Sequence, residues 1–173
     1  MAEWHQLPVV AAGTEYLVMG YLARRNILAY KAPPRNEGYD LICIHPDPRN
    51  KRAPGKRSQL RIQVKSRYAT DCDRGFPVKE KAIDAFDFLI IAFLNIGYYK
   101  SKRDCLSGRR EPEFFTLPAS YIRENIFVQG DWEKVSLRGK DTELEKYKND
   151  RGFDIIARKL GISYPVRPPK EEA

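Results

Sequence analysis

The stretch Phe88-Leu89-Ile90-Ile91-Ala92-Phe93-Leu94 constrains the fold more than any other part of the sequence. Seven consecutive apolar residues fall far short of the roughly 20 that a membrane-spanning helix requires, so a membrane protein is excluded. Continued to Asn95, the run predicts a strand buried on both faces, which places it at the centre of a covered sheet. With 173 residues, 42% of them apolar and 12% aromatic, the chain can supply one such core but hardly two. A single domain spanning 1–173 is expected.

Other periodic segments fit around that strand. Thr14 is a suitable N-cap for a helix reaching about Asn26, with Leu17, Val18, Tyr21 and Leu22 as its apolar stripe. Short strands are expected at 27–31 and 39–45, and Gln59 to Arg67 alternates cleanly between polar and apolar residues. The stretch ATDCDRGFPVKE reads as a loop, followed by a helical segment at 79–86. Beyond the apolar run lie a basic loop, a strand at 113–117, a helix from Pro118 to Glu124 and helical material from 142 to 160. The order helix, three strands, helix, strand predicts an α/β fold, a mixed sheet flanked by helices. Its core covers about 13–125, with a C-terminal helical extension at about 126–165.

Lys and Arg number 31 against 23 Asp and Glu, giving a net charge of +8 that favours a polyanionic partner, with nucleic acid foremost. Glu3 stands where a secretory signal would need positive charge, and the expected location is cytoplasmic. Cys43, Cys72 and Cys105 are odd in number and lack a CxxC pair, so they read as reduced thiols. His5 and His45 lie in no recognisable motif and are excluded from any site.

In the alternating strand Leu60, Ile62 and Val64 point one way, and Arg61, Gln63 and Lys65 the other. The Cα atoms of Gln63 and Lys65 are then about 6.6 Å apart on one face, close enough for both side chains to converge on one small object. Asp40 follows the Gly38 turn, where its carboxylate can lie beside Gln63. Glu15 precedes Val18 by three residues and Leu22 by seven, on the helix face that packs on the sheet.

The arrangement of Asp40 and Gln63-Val64-Lys65, with Glu15 in the helix before them, resembles the PD-(D/E)XK nuclease superfamily over about residues 13 to 95. Gln63 stands where that signature usually has an acid, and Tyr39 where it has Pro. The Gln form is similar to the Mrr-like branch of restriction endonucleases. The resemblance implies a restriction-endonuclease-like αβββαβ core and a metal-dependent endonuclease acting on phosphodiester bonds, most readily in DNA. It also implies a homodimer. Asp40, the Gln63 side-chain carbonyl, the Val64 backbone carbonyl and Glu15 would hold Mg²⁺, or Mn²⁺ in its place, while Lys65 would orient or deprotonate water.

Between residues 49 and 67 stand Arg49, Lys51, Arg52, Lys56, Arg57, Arg61, Lys65 and Arg67 without one acid, a run suited to neutralising phosphates. A second basic cluster, Lys100, Lys102, Arg103, Arg109 and Arg110, follows Tyr98-Tyr99, whose rings could stack on unpaired bases. The alternative is a catalytically inactive nuclease-like module that binds nucleic acid. A third reading is a regulatory subunit that binds none.

Overall fold

A computed structural model describes residues 9–51, 54–70, 74–97, 108–130 and 132–163. The chain runs α1 (Val10–Ala23), β1 (Leu28–Lys31), β2 (Leu41–Ile44), β3 (Gln59–Arg67), β4 (Gly75–Pro77), a 3-10 segment (Glu80–Ala85), β5 (Phe88–Phe93) and β6 (Glu113–Pro118). It continues through α2 (Ala119–Asn125), β7 (Ile126–Gln129), β8 (Trp132–Ser136), α3 (Asp141–Leu144), a 3-10 turn (Glu145–Tyr147) and α4 (Asn149–Leu160). This is a mixed α/β architecture. The main sheet has the order β1-β2-β3-β5-β6, antiparallel except where β3 lies parallel to β5. The expected order of one helix, three strands, a helical segment and a strand is present.

All six residues of β5 are buried because both faces of the sheet are covered. Phe88, Ile90 and Ala92 face α1 and α4, together with Val18, Leu22, Phe153 and Ile156. Leu89, Ile91 and Phe93 face the other way, into a layer built from Phe76, Ile83, Tyr121, Ile122 and Val135. Each fully buried Ile, Leu or Phe contributes about 1.5–3 kcal/mol, so this strand alone anchors both layers.

Two expectations need correction. The first helix begins at Val10, and Thr14 is not its cap but lies inside it, buried, its hydroxyl donating to the Val10 carbonyl at 2.7 Å. The helical segment expected at 79–86 is present as a 3-10 helix, Glu80–Ala85. Over the first part of the expected helical extension Ile126–Gln129 and Trp132–Ser136 are strands, β7 and β8, paired as a hairpin, and β8 pairs with β4, from the stretch read as a loop, to give a second antiparallel sheet, β4-β8-β7. Helix returns only at Asp141. Phe76 and Val135, cross-strand partners in that sheet, pack beneath β5, which explains why such short strands persist.

Two contacts seat α4. Arg25, 2% exposed, ion-pairs with Asp154 at 3.0 Å and with Asp150, and lies over the Phe153 ring at 5.2 Å. Gly152 faces β6 so closely that a Cβ would stand 2.2 Å from the Tyr147 carbonyl oxygen and 2.9 Å from Thr116 Oγ1. Gly→Ala in a helix interior ordinarily stabilises by roughly 0.5–1 kcal/mol. Here the sign reverses, and Gly152→Ala is expected to cost about 2 kcal/mol or more, read as a lower urea midpoint at unchanged slope.

Candidate active site

The region opens at Gly38, which adopts φ +98° and passes so close to the 3-10 segment that a Cβ would meet Ala85 Cβ at 2.3 Å. Asn36 Nδ2 donates to the Tyr39 carbonyl at 2.8 Å and fixes the approach to Asp40. The Asp40 carbonyl accepts from Ala32 N–H at 2.8 Å, while its own N–H donates to the Ile62 carbonyl, also at 2.8 Å. Leu41 is already registered against Ile62, so two residues oppose one, as in a β-bulge. Such a step re-aims a side chain, and Asp40 Oδ2 accepts the Val64 N–H at 2.7 Å. The carboxylate therefore rests against the peptide group joining Gln63 to Val64.

The Val64 N–H and the Ile62 carbonyl both face the β2 side of β3, and by strand alternation the Val64 carbonyl turns to that same edge. Gln63 and Lys65 point into the opposite layer from Leu60 and Ile62, and line a cleft of about 600 Å³. Its remaining walls are Pro77 at the end of β4 and Val78 after it, Lys79 and Ala82 at the 3-10 segment, and Trp132 and Glu133 of β8. Glu133 is engaged there, since its carboxylate accepts the Glu80 N–H.

Burial pushes the Asp40 carboxyl above the ordinary carboxylate range, partly offset by the Val64 N–H, with the Glu15 charge adding to the rise and Lys65 and Lys31 opposing it. Burial lowers the Lys65 ammonium below the usual lysine range, opposed by Asp40 and reinforced by Arg67. Titratable groups displaced in opposite directions beside a cleft are typical of sites that do chemistry. Glu15 is paired with Lys31 at 2.7 Å and reaches Asp40 through its charge. It lies in the second turn of α1, away from the helix start.

Asp40, Gln63, Val64 and Lys65 thus come together, with Glu15 at their border. The donor set consists of carboxylate, amide and peptide oxygens, which suits a hard divalent cation. Among the described residues no three His, Cys, Asp or Glu side chains form a metal-binding cluster, so amide and peptide oxygens would have to complete any ligand set here.

The basic run is divided. Lys56 Nζ donates to the Arg158 carbonyl at 2.9 Å. Arg57 and Arg61 reach Asp87 at 2.7 and 3.5 Å. Arg67 donates to the Gly75 carbonyl at 2.9 Å and lies 4.5 Å over the Phe76 ring. These four brace the fold, although Arg57 remains largely exposed. Arg49 holds Asp47 at 3.1 Å and Lys51 is exposed. Arg52, Tyr98, Tyr99, Lys100, Lys102, Arg103, Cys72, Cys105 and His5 lie outside the described residues. Arg110 pairs with Glu113 at 3.1 Å, and Arg109 donates to the Ile96 carbonyl at 3.4 Å. Cys43 is a free, buried thiol that burial pushes up to about 12. The His45 ring is taken up by the Asp47 backbone.

No protein-family model matches the chain, and no curated protein does. Among solved structures the chain is similar to Archaeoglobus fulgidus Hjc, a Holliday junction resolvase from an archaeal hyperthermophile, at 9% identity and a TM-score of 0.45. The match covers 87% of this chain and 94% of that one. Among the described residues no helix is long and apolar enough to cross a membrane.

The raised Asp40 pKa has a consequence for stability. The folded state holds the Asp40 proton more tightly than the unfolded chain does, so the ionised carboxylate destabilises the fold once pH rises above the ordinary carboxylate range. Asp40→Asn keeps an oxygen for the Val64 N–H and removes the charge. The variant should melt a few degrees higher than the parent at pH 7 in chelator, an advantage that disappears near pH 3, as circular dichroism melts at both pH values would show.

Proposed function

We propose that the protein is a divalent-metal-dependent nuclease that hydrolyses phosphodiester bonds, with DNA as its substrate. The observation that carries this reading is the Asp40 carboxylate seated on the Val64 N–H, next to Gln63 and Lys65, which line a cleft with the exposed Lys79. A Mg²⁺ ion, or Mn²⁺ in its place, would be held by Asp40, the Gln63 amide oxygen and the Val64 carbonyl. When bound it lowers the pKa of a water and offsets charge on the phosphoryl group.

The chain's own residues supply the rest. Asp40 contributes the anionic oxygen, and its anchorage on a strand peptide holds it within a narrow range of positions. Glu15, kept by Lys31 at the margin, adds a second negative charge to a site whose Gln63 is neutral. Lys65, with its pKa lowered by burial, releases its proton more readily than a solvated lysine and so is more often the free amine, which suits it to orient or deprotonate the attacking water. Arg49, Lys51 and the exposed part of Arg57 engage flanking phosphates. The pairing of two copies belongs to this reading on the sequence resemblance alone.

Supercoiled plasmid incubated with the protein should be cut in Mg²⁺ or Mn²⁺ and spared in chelator. Lys65→Ala should bind DNA normally while cutting roughly 10²–10⁴-fold more slowly, the range for removal of a positioned acid–base group. Cutting by Lys65→Ala at the parental rate would overturn the assignment. Gln63→Glu restores an acidic ligand, and calorimetric titration with Mn²⁺ should show tighter binding than in the parent; weaker binding would place residue 63 away from the metal.

A further inference from the structure

Trp132 is 61% exposed, although a large aromatic residue is rarely left so open. It opens β8 and pairs with Gln129 across the turn of the β7–β8 hairpin, where Gly130 adopts φ +60°. Val128, paired with Glu133, is 73% exposed. The two side chains belong to opposite faces of the hairpin, because successive strand residues alternate. Farther along the face that carries Val128, Val135 is fully buried. On the Val128 face burial at the base gives way to exposure at the tip, and the Trp132 face is open at Phe127 as well, 41% exposed, so the end of the hairpin projects past the body of the protein. It does so beside the cleft, which Trp132 lines together with Gln63 and Lys65.

We propose that this tip is a base-stacking wedge, with Trp132 covering the face of an unpaired base at the cleft and Val128 extending the apolar tip on the other side of the hairpin, so that the substrate class is nucleic acid with unpaired nucleotides rather than continuous duplex. The inference rests on the nuclease reading for the use of the cleft. The chemistry of the surroundings selects the occupant. Two ammonium groups, Lys65 and the exposed Lys79, line the cleft beside Trp132. A nucleotide joins a flat apolar ring to an anionic phosphate within one residue's length, and so matches an apolar tip next to cations. Within an intact duplex the faces of the bases are covered by their neighbours, and an aromatic wedge gains contact only where that stack is broken.

Binding in chelator separates this inference from catalysis. Fluorescence anisotropy would compare a labelled single strand, a forked duplex and a continuous duplex of equal length. Trp132→Ala should weaken the single strand and the fork by roughly tenfold, leave the duplex within about twofold, and be largely rescued in Trp132→Phe. In a Trp4→Phe protein the remaining Trp132 indole should be quenched by the single strand. Equal losses on all three substrates, or none, would overturn the wedge, as would a concentration-dependent dimer that Trp132→Ala abolishes while every affinity is kept. Failure to cut any substrate in Mg²⁺ with the binding selectivity intact would remove the nuclease reading alone. Cutting in Mg²⁺ without a Trp132 effect would remove the wedge alone, and absence of binding to any of the three would remove both.

Discussion

β3 runs on past its antiparallel partner, and the site exists because of that mismatch. β2 is registered against β3 only as far as Ile62, whereas β3 extends to Arg67. On its other side β3 is locked to β5 along six registered pairs, so it stays extended even where β2 is absent. The unpaired edge leaves the Val64 N–H in need of an acceptor, and an unsatisfied buried donor costs about 1–3 kcal/mol. The two-against-one step at Asp40 and Leu41 delivers a carboxylate to it. A backbone requirement of the sheet thereby fixes one acid beside an amide and an ammonium.

Two charged groups in this molecule show how differently burial can be handled. Arg25 is enclosed, yet two carboxylates, a carbonyl and an aromatic ring surround it, and it serves to join α1 to α4. Asp40 is half-buried and receives one N–H, and burial together with the Glu15 charge outweighs that bond and the Lys65 and Lys31 charges, so its pKa rises. The first arrangement is what structure demands of a buried charge. The second leaves a charge incompletely matched next to an open cleft, a state that favours a ligand able to complete it.

The sheet was legible wherever a strand carried its pattern within itself. Gln59–Arg67 alternates without a fault and β5 is apolar throughout, so both could be placed closely. The Asp40 and Gln63 neighbourhood was legible for the same reason. The second sheet was not, because Gly75–Pro77 has three residues with a Pro and a Gly, and its partner lies more than 50 residues away. Short strands of this kind acquire their conformation from tertiary packing rather than local preference. Trp132 and Lys79 were missed with that sheet. Thr14 misled because a hydroxyl that caps a helix can equally bond back to the carbonyl four residues earlier. The partition of the basic run could not be read at all, since Asp87, which receives Arg57 and Arg61, lies far along the chain.

The pairing of β4 with β8 also bears on the molecule's birth. As the chain emerges from a ribosome, residues through β6 can begin to assemble, but the far wall of the cleft cannot close until β8 has followed, and the layer opposite waits longer still for α4. Until then Phe76 and one face of β5 lack their cover. The residues around Asp40 are translated before β8 and α4, so a nascent chain carries the acid, the amide and the ammonium before the walls that enclose them exist.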